Sequence, residues 1–463
     1  MLNLSVNKNN ILLTVIFAFL FGLSLCLFLP LATKNIFFIL AIPLIGAFFL
    51  LMVINLKAML VVLLFIRVLM DPLLNMTKLH ILGENIGAGG VINLLIILLA
   101  AGLAILNFRR LSKSRFFRNW VVFLFICAFT IIYAPFPGRA LKLFFNLLSY
   151  MAMALIPFFI VESRKDERFW LKIIFFSSFL PIAFANFDLL TGGSYYVYTG
   201  MRIKGTFTHP NILAFYLVLI IALVFYILKS RRLSMTNARR NFLLVYMADL
   251  FILLLATKTR SAWISCWGMF FIYGLLKEKK YLFLSLVVPL ALLLHPAVMQ
   301  RINNLFLKAS ELPKDRLNSF AWRMELWKSS LPWVKKRFFL GYGLGSFRRL
   351  SYNFFNLSYS DVASHNIYLE ILFETGIIGL ISYLAIYIGA LKTFFRQMKS
   401  KASEKSLEYT IVFSYVISYM IVCFADNLLY YLAFNWYFWF FAGLMLRTIQ
   451  LEGKNDFGYR AIV

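Results

Sequence analysis

The sequence predicts an all-α fold: a polytopic membrane helix bundle of about 12 to 14 transmembrane helices, with one long external loop that carries short amphipathic helices. Three observations predict it. Of the 463 residues, 62% are hydrophobic and the mean hydropathy is +0.81, whereas a soluble domain is nearer half apolar. The apolar residues come in blocks long enough to cross a bilayer. Short segments rich in Lys and Arg separate the blocks.

The predicted spans lie near 11–31, 36–55, 58–70, 88–107, 119–134, 143–161, 169–190, 211–228, 242–257, 261–276, 281–297, 366–390, 408–424 and 430–449. The third is short and contains Arg67. The first lacks a small-x-small cleavage site and is long enough to span, so it reads as a helix and not as a signal peptide. There is no internal repeat and no low-complexity tract. Four regions follow: N-terminal transmembrane helices at 1–190, helices with cationic external turns at 191–297, the long external loop at 298–365, and C-terminal helices with a tail at 366–463.

The net charge of +28 would suggest nucleic acid in a soluble protein. Here most of it is explained by the enrichment of Lys and Arg in cytoplasmic loops, so no nucleic-acid partner is expected. The basic loops alternate with less basic ones, and this alternation puts both termini in the cytoplasm. The other loops then face outward: 71–87, 135–142, 191–210, 258–260, 298–365 and 425–429. The long loop is an exception. It holds 11 Lys and Arg against four acids. Long loops translocate whatever their charge, so this excess points to an anionic ligand. Cys26, Cys127, Cys266 and Cys423 stand singly in apolar blocks and read as packing residues.

Within the long loop, "NSFAWRMELWKSSLPWVKKRFF" reads as an amphipathic helix with Phe320, Met324, Trp327 and Leu331 on one face. Either it lies near the headgroups, where its three Trp residues would settle, or it packs over the bundle. "GYGLGSF" lacks the Gly-Lys-Ser/Thr of a phosphate loop, so its glycines are expected to end the helix and permit a tight turn.

Three polar clusters fall on the external side, where membrane-edge ionisable groups are functional candidates. In "MRIKGTFTHPNILAFYL", Arg202 and Lys204 precede a helix start, where Asn211 can satisfy free N–H groups. In "ATKTRSAWISCW", Lys258 and Arg260 sit on a very short turn, flanked by Thr259 and Ser261, whose hydroxyls could donate to phosphate oxygens. Anchoring by snorkelling is the competing reading for that pair. In "SHNIYLEILFETGIIGL", His365 stands at the membrane surface between Ser364 and Asn366, placed to act as a base near neutral pH. Glu370 and Glu374 share a helix face and are expected to point inward as partners of Arg202, Arg260 or Arg323. Gly376 and Gly379 would allow close helix packing behind them. No D-x-D, H-E-x-x-H or His/Cys/Asp cluster at metal-ligand spacing occurs, so no metal or other cofactor is expected.

These segments, with "RIKGTFTHPNILA", "TKTRSAW", "WRMELWKSSLPW" and "LGYGLGSF" in that order ahead of "SHNIYLEILFETGIIGL", resemble the O-antigen ligase and polymerase superfamily of bacterial membrane glycosyltransferases. The resemblance covers roughly 200–450; the first half matches only as a set of spans. It implies an inverting, metal-independent enzyme of the bacterial cytoplasmic membrane that moves a whole glycan from undecaprenyl diphosphate to an acceptor hydroxyl. The acceptor is lipid A–core in ligases and a lipid-linked repeat unit in polymerases. A flippase and a chain-length regulator are the protein partners a polymerase would imply. The family's essential histidine matches His365, and its arginines match Arg202 and Arg260, with Arg323 in the corresponding R-x-x-x-W segment. Two other readings compete: a membrane transporter of a small anion such as bicarbonate, and a non-catalytic scaffold in polysaccharide export. Transport predicts midplane charges, repeated halves and broken helices. The sequence places its charges at one edge and has no repeat.

Overall fold

Apolar segments in lipid must satisfy their own backbone groups, so each becomes a helix. The computed structural model describes residues 54–76, 79–81, 84–112, 114–197, 200–230, 235–293, 319–356, 361–400 and 406–456. The spans expected at 11–31 and 36–55 lie essentially outside these residues. Each of the other twelve has its helix: α1 (Leu56–Leu69), α2 (Ala88–Leu106), α3 (Arg115–Ile131), α4 (Pro137–Leu155), α5 with α6 (Arg164–Ser177, Phe179–Leu190), α7 (Pro210–Lys229), α8 (Asn237–Ala256), α9 (Arg260–Leu276), α10 (Lys279–Leu293), then, after the long loop, α13 (Ile367–Lys399), α14 (Ser406–Val422) and α15 (Leu432–Asp456). The loop itself carries α11 (Ser319–Lys336) and α12 (Phe347–Phe354). Five helices or helix pairs meet both the length and the apolarity of a membrane span: Gly89–Leu106, Pro137–Ile160, Arg164–Leu190, Pro210–Lys229 and Ile367–Lys399. The protein is thus a polytopic helical membrane protein. Two short antiparallel hairpins, Leu79–Ile81 with Glu84–Ile86 and Tyr195–Val197 with Gly200–Arg202, sit in connecting segments.

The core is aromatic. Helix α7 runs through its centre, almost entirely buried, against α15. Tyr216 meets Tyr437 edge-on at 5.4 Å, Trp120 meets Trp439 at 4.8 Å, and Tyr419 stacks on Phe438 at 4.1 Å. Rings bring large contact area and few rotatable bonds, which suits interhelical packing where lipid provides no hydrophobic drive. Arg67, the awkward charge of α1, is buried but paired: Asp71 lies at 3.6 Å and the Trp436 ring at 5.5 Å.

Loop contacts sort to two ends. At one, Lys57 bonds Asp166 at 2.5 Å, Lys229 bonds Glu278, Lys277 reaches Ser406 at 2.7 Å, and Arg447 reaches the Val161 carbonyl at 2.8 Å. These belong to the basic loops. At the other, Thr208 donates to Asp71 at 2.8 Å, Tyr133 to the Leu340 carbonyl at 2.5 Å, and Ser261 to Asp426 at 2.6 Å.

One expectation is refined and one needs correction. On the expected apolar face of α11, Trp327 packs inward whereas Phe320 and Leu331 are exposed, and Leu326 and Val334 pack with Phe347, Phe355 and Phe373. The helix therefore covers the start of α13 through a neighbouring face. Helix α13 is also not continuous. Gly376 has φ 68° and ψ −173°, which interrupts the helical ladder. The freed groups are taken up by the long loop: Tyr342 N–H donates to the Phe373 carbonyl at 2.9 Å, Gly343 N–H to the Glu374 carbonyl at 2.9 Å, and Ile377 N–H to the Phe338 carbonyl at 2.8 Å. Gly341, Gly343 and Gly345 all have positive φ, which permits the turn expected there and brings it onto the break.

Candidate active site

The starts of α7, α9 and α13, helix α11 and the turn before α15 meet in one hydrogen-bond network. Its centre is Asp426, 2% exposed, in the 423–431 turn. Ser261 donates to it at 2.6 Å, Tyr431 at 2.6 Å and Asn211 at 3.4 Å. A buried carboxylate needs such partners to satisfy its oxygens.

Arg202 reaches this network from the second hairpin. Its Nε donates to the Thr257 carbonyl at 2.7 Å, and Nη2 donates to Asn211 Oδ1 at 2.9 Å and Thr259 Oγ1 at 2.7 Å. The planar guanidinium fork holds three partners at once, which a lysine would not do. Arg323, from α11, donates to the Ala425 carbonyl at 2.7 Å. Arg260 is exposed at the first position of α9 and is an electrostatic neighbour of Arg323. Burial pulls Arg202 and Arg323 below the ordinary guanidinium value, with Asp426 acting in the opposite direction. Lys258 is exposed with left-handed backbone, φ 54°; its amine would lie 3.7 Å from a Cβ added at Gly200. The N–H of Lys204 is bound by Asp188 at 3.1 Å, which fixes the loop that presents Arg202.

His365 occupies the hinge before α13 with φ 51°, a strained conformation for a non-glycine residue. The hinge is pinned on several sides. Trp327 Nε1 donates to the Ser364 carbonyl at 2.8 Å, Ser364 Oγ donates to Glu370 at 2.6 Å, and Asn366 caps the helix by accepting from Leu369 N–H at 3.1 Å. The Trp322 ring meets the imidazole edge-on at 6.3 Å. Nδ1 is enclosed without a hydrogen-bond partner among the described residues. Burial, and next the cation of Arg323, pull the imidazole down to about 4, with Arg348 and His209 acting the same way and Asp426 opposing. The ring is therefore neutral at physiological pH.

The network also reassigns residues. Asn211 does not cap α7; His209 does, its Nδ1 accepting from Asn211 N–H at 3.1 Å, and the Asn211 amide bridges Arg202 to Tyr431 and Asp426. Ser261 and Thr259 spend their hydroxyls on Asp426 and on Arg202 and its neighbours. Glu370 and Glu374 are buried, but their hydrogen bonds do not go to Arg202 or Arg323. Glu370 accepts from Ser364 and Tyr430; Glu374 accepts from the N–H groups of Gly345 at 2.8 Å and Phe347 at 3.1 Å, capping α12 from another helix. Sequence reading missed Asp426 and Tyr431. The signal was present, since Asp426 is an acid at the edge of two apolar spans.

Arginines around a membrane-edge site, beside one neutral imidazole, can bind a phosphate-bearing lipid and accept a proton. No curated protein matches the chain. The family model described as O-antigen ligase matches residues 242–384, a segment that includes Lys258, Arg260, Arg323 and His365. That match supports the resemblance read from the sequence: residues 242–384 are similar to the O-antigen ligase family, and the similarity supports a function of ligase or polymerase type in surface-polysaccharide synthesis.

Proposed function

We propose that the protein is an inverting glycosyltransferase that moves a glycan en bloc from undecaprenyl diphosphate to an acceptor hydroxyl at the outer face of the cytoplasmic membrane, in O-antigen or exopolysaccharide polymerisation or ligation. The observation that carries this reading is the convergence of Arg202, Arg260 and Arg323 with His365 around Asp426 at one end of the bundle. In this reading that end faces outward and both termini are cytoplasmic.

A glycosyl diphosphate already has a good leaving group, so the protein must hold developing charge and orient an alcohol. The acceptor oxygen attacks the anomeric carbon on the face opposite the diphosphate. The new C–O bond forms as the bond to the diphosphate breaks, and that electron pair leaves with the diphosphate. The acceptor proton passes to His365 Nε2, since Nδ1 is enclosed. Arg202, Arg260 and Arg323 neutralise the leaving group in place of a divalent ion, with Lys204 and Lys258 at the rim. Asn211 and Asn366 orient the arginine and the hinge, and Glu370 and Glu374 brace the helix behind them.

The test is surface glycan in strains carrying His365→Ala, Arg202→Ala or Arg260→Ala with the protein still inserted. Loss in all three is expected; normal glycan with His365→Ala overturns its role as base. The break at Gly376 favours the second reading, anion transport, because transporters use broken helices. Here, however, the break seats a loop. Substrate-dependent flux in reconstituted vesicles, lost with Arg260→Ala, would establish transport instead.

A further inference from the structure

A second cationic group lies near the His365 hinge, at the contact between α4 and α12. Arg139 stands in the first turn of α4, packed against the glycine turn: a Cβ at Gly345 would lie 3.2 Å from its Cγ. Arg348, three residues after Gly345, is exposed in the first turn of α12. The next residue, Arg349, is held by Asp361 at 3.2 Å and lies 6.0 Å from the Phe136 ring, so α12 sits over the start of α4. All of this is on the external side, since Tyr133 and Gly343 join the same two segments.

The guanidinium groups of Arg139 and Arg348 have no hydrogen bond or ion pair among the described residues. Their electrostatic neighbours are the acids of α13: both act on Glu370, and Arg139 also acts on Glu374. Yet those carboxylates are already hydrogen-bonded without them, Glu370 by Ser364 and Tyr430, Glu374 by Gly345 and Phe347. Arg348 is in addition an electrostatic neighbour of His365. The hinge therefore has one cation group organised around Asp426 and a second at the α4–α12 contact, whose forks are open to an anion.

We propose that Arg139 and Arg348 form an acceptor subsite that binds a phosphate group on the acceptor lipid, while the arginines around Asp426 hold the donor diphosphate. This rests on the glycosyl-transfer reading above. A transferase with two lipid substrates needs to place the acceptor hydroxyl at His365, and a second phosphate clamp at the α4–α12 contact does so without contacting sugar. Two acceptors share the chemistry: a polyprenyl-diphosphate repeat unit and a phosphorylated lipid A–core.

The test uses the full-length protein in nanodiscs with a polyprenyl-diphosphate-linked glycan as donor. Three acceptors are compared: a second polyprenyl-diphosphate repeat unit, phosphorylated lipid A–core, and the same lipid A–core after enzymatic dephosphorylation. Arg139→Gln with Arg348→Gln is expected to raise the KM of the phosphorylated acceptor about tenfold, as loss of a charge-assisted contact does. The KM of the donor should not change, and the penalty should disappear for the dephosphorylated acceptor. Arg348→Gln alone, at an exposed position, should fold and move in the same direction. The responding acceptor separates the sources, polyprenyl diphosphate for a polymerase and lipid A–core for a ligase. Equal loss on phosphorylated and dephosphorylated acceptors overturns the subsite, as does a rise in donor KM. Loss of thermal stability with acceptor KM unchanged also overturns it, and assigns the arginines to offsetting the buried acids. If the wild-type protein transfers glycan to none of the three, the transferase reading itself falls.

Discussion

The Ser261 hydroxyl donates to Asp426 at 2.6 Å although the two residues are 165 positions apart. This bond ties the start of α9 to the 423–431 turn, and through Tyr431 and Asn211 it extends to Arg202. Asp426→Asn keeps the shape and removes the charge. Charged hydrogen bonds contribute about 1.5–3 kcal/mol each, so kcat/KM should fall roughly 10- to 100-fold with membrane insertion retained. Transfer assays with purified protein check this; wild-type activity would dismiss Asp426 as an organiser.

Asn211→Ala removes one of three acceptors of the Arg202 guanidinium. Arg202 should remain held by Thr257 and Thr259 but less well aimed. Donor KM should rise by about tenfold or less, with a smaller effect on kcat. A kcat loss with donor KM unchanged would place Asn211 in a different role.

The neutral imidazole of His365 sets the acid limb of the pH profile. Held at about 4 by burial and then by Arg323, it should let activity persist to low pH and fall only as the ring protonates near that value. A neighbouring cation disfavours imidazolium, so Arg323→Gln raises the His365 pKa toward its ordinary value. The acid limb of residual kcat/KM should then move to higher pH. The measurement is kcat/KM against pH in both proteins, and an unmoved limb would separate Arg323 from the base.

Two glycine substitutions should have opposite signs. At Gly376, with φ 68°, a Cβ would sit 2.0 Å from the Phe339 carbonyl oxygen, so Gly376→Ala should abolish folded protein. At Gly268, inside α9, the nearest atom would be Ser418 Cβ at 3.6 Å. Gly268→Ala should stabilise by about 0.5–1 kcal/mol through reduced backbone freedom in the unfolded chain. Thermal melts in detergent compare the two.

The helical bundle and the positions of its helices are legible in the sequence. Bilayer thickness sets helix length and lipid forbids unpaired backbone, so twelve expected spans could be read from apolar blocks alone. Arg202, Arg260, Arg323 and His365 stand out as candidates in the sequence, because charges at a membrane edge are rare. How they are held depends on contacts between residues far apart in the chain. Asn211 reads as a cap in sequence and is a bridge in space; Glu370 and Glu374 read as arginine partners and instead satisfy Ser364, Tyr430 and the start of α12. Gly376 reads as a packing residue and breaks its helix, since the glycine turn at 341–345 supplies the missing hydrogen bonds. Asp426 acquires its meaning only when residues 165 positions apart meet. Helical periodicity depends on neighbours along the chain, whereas a buried polar group's partner depends on which distant donor arrives beside it.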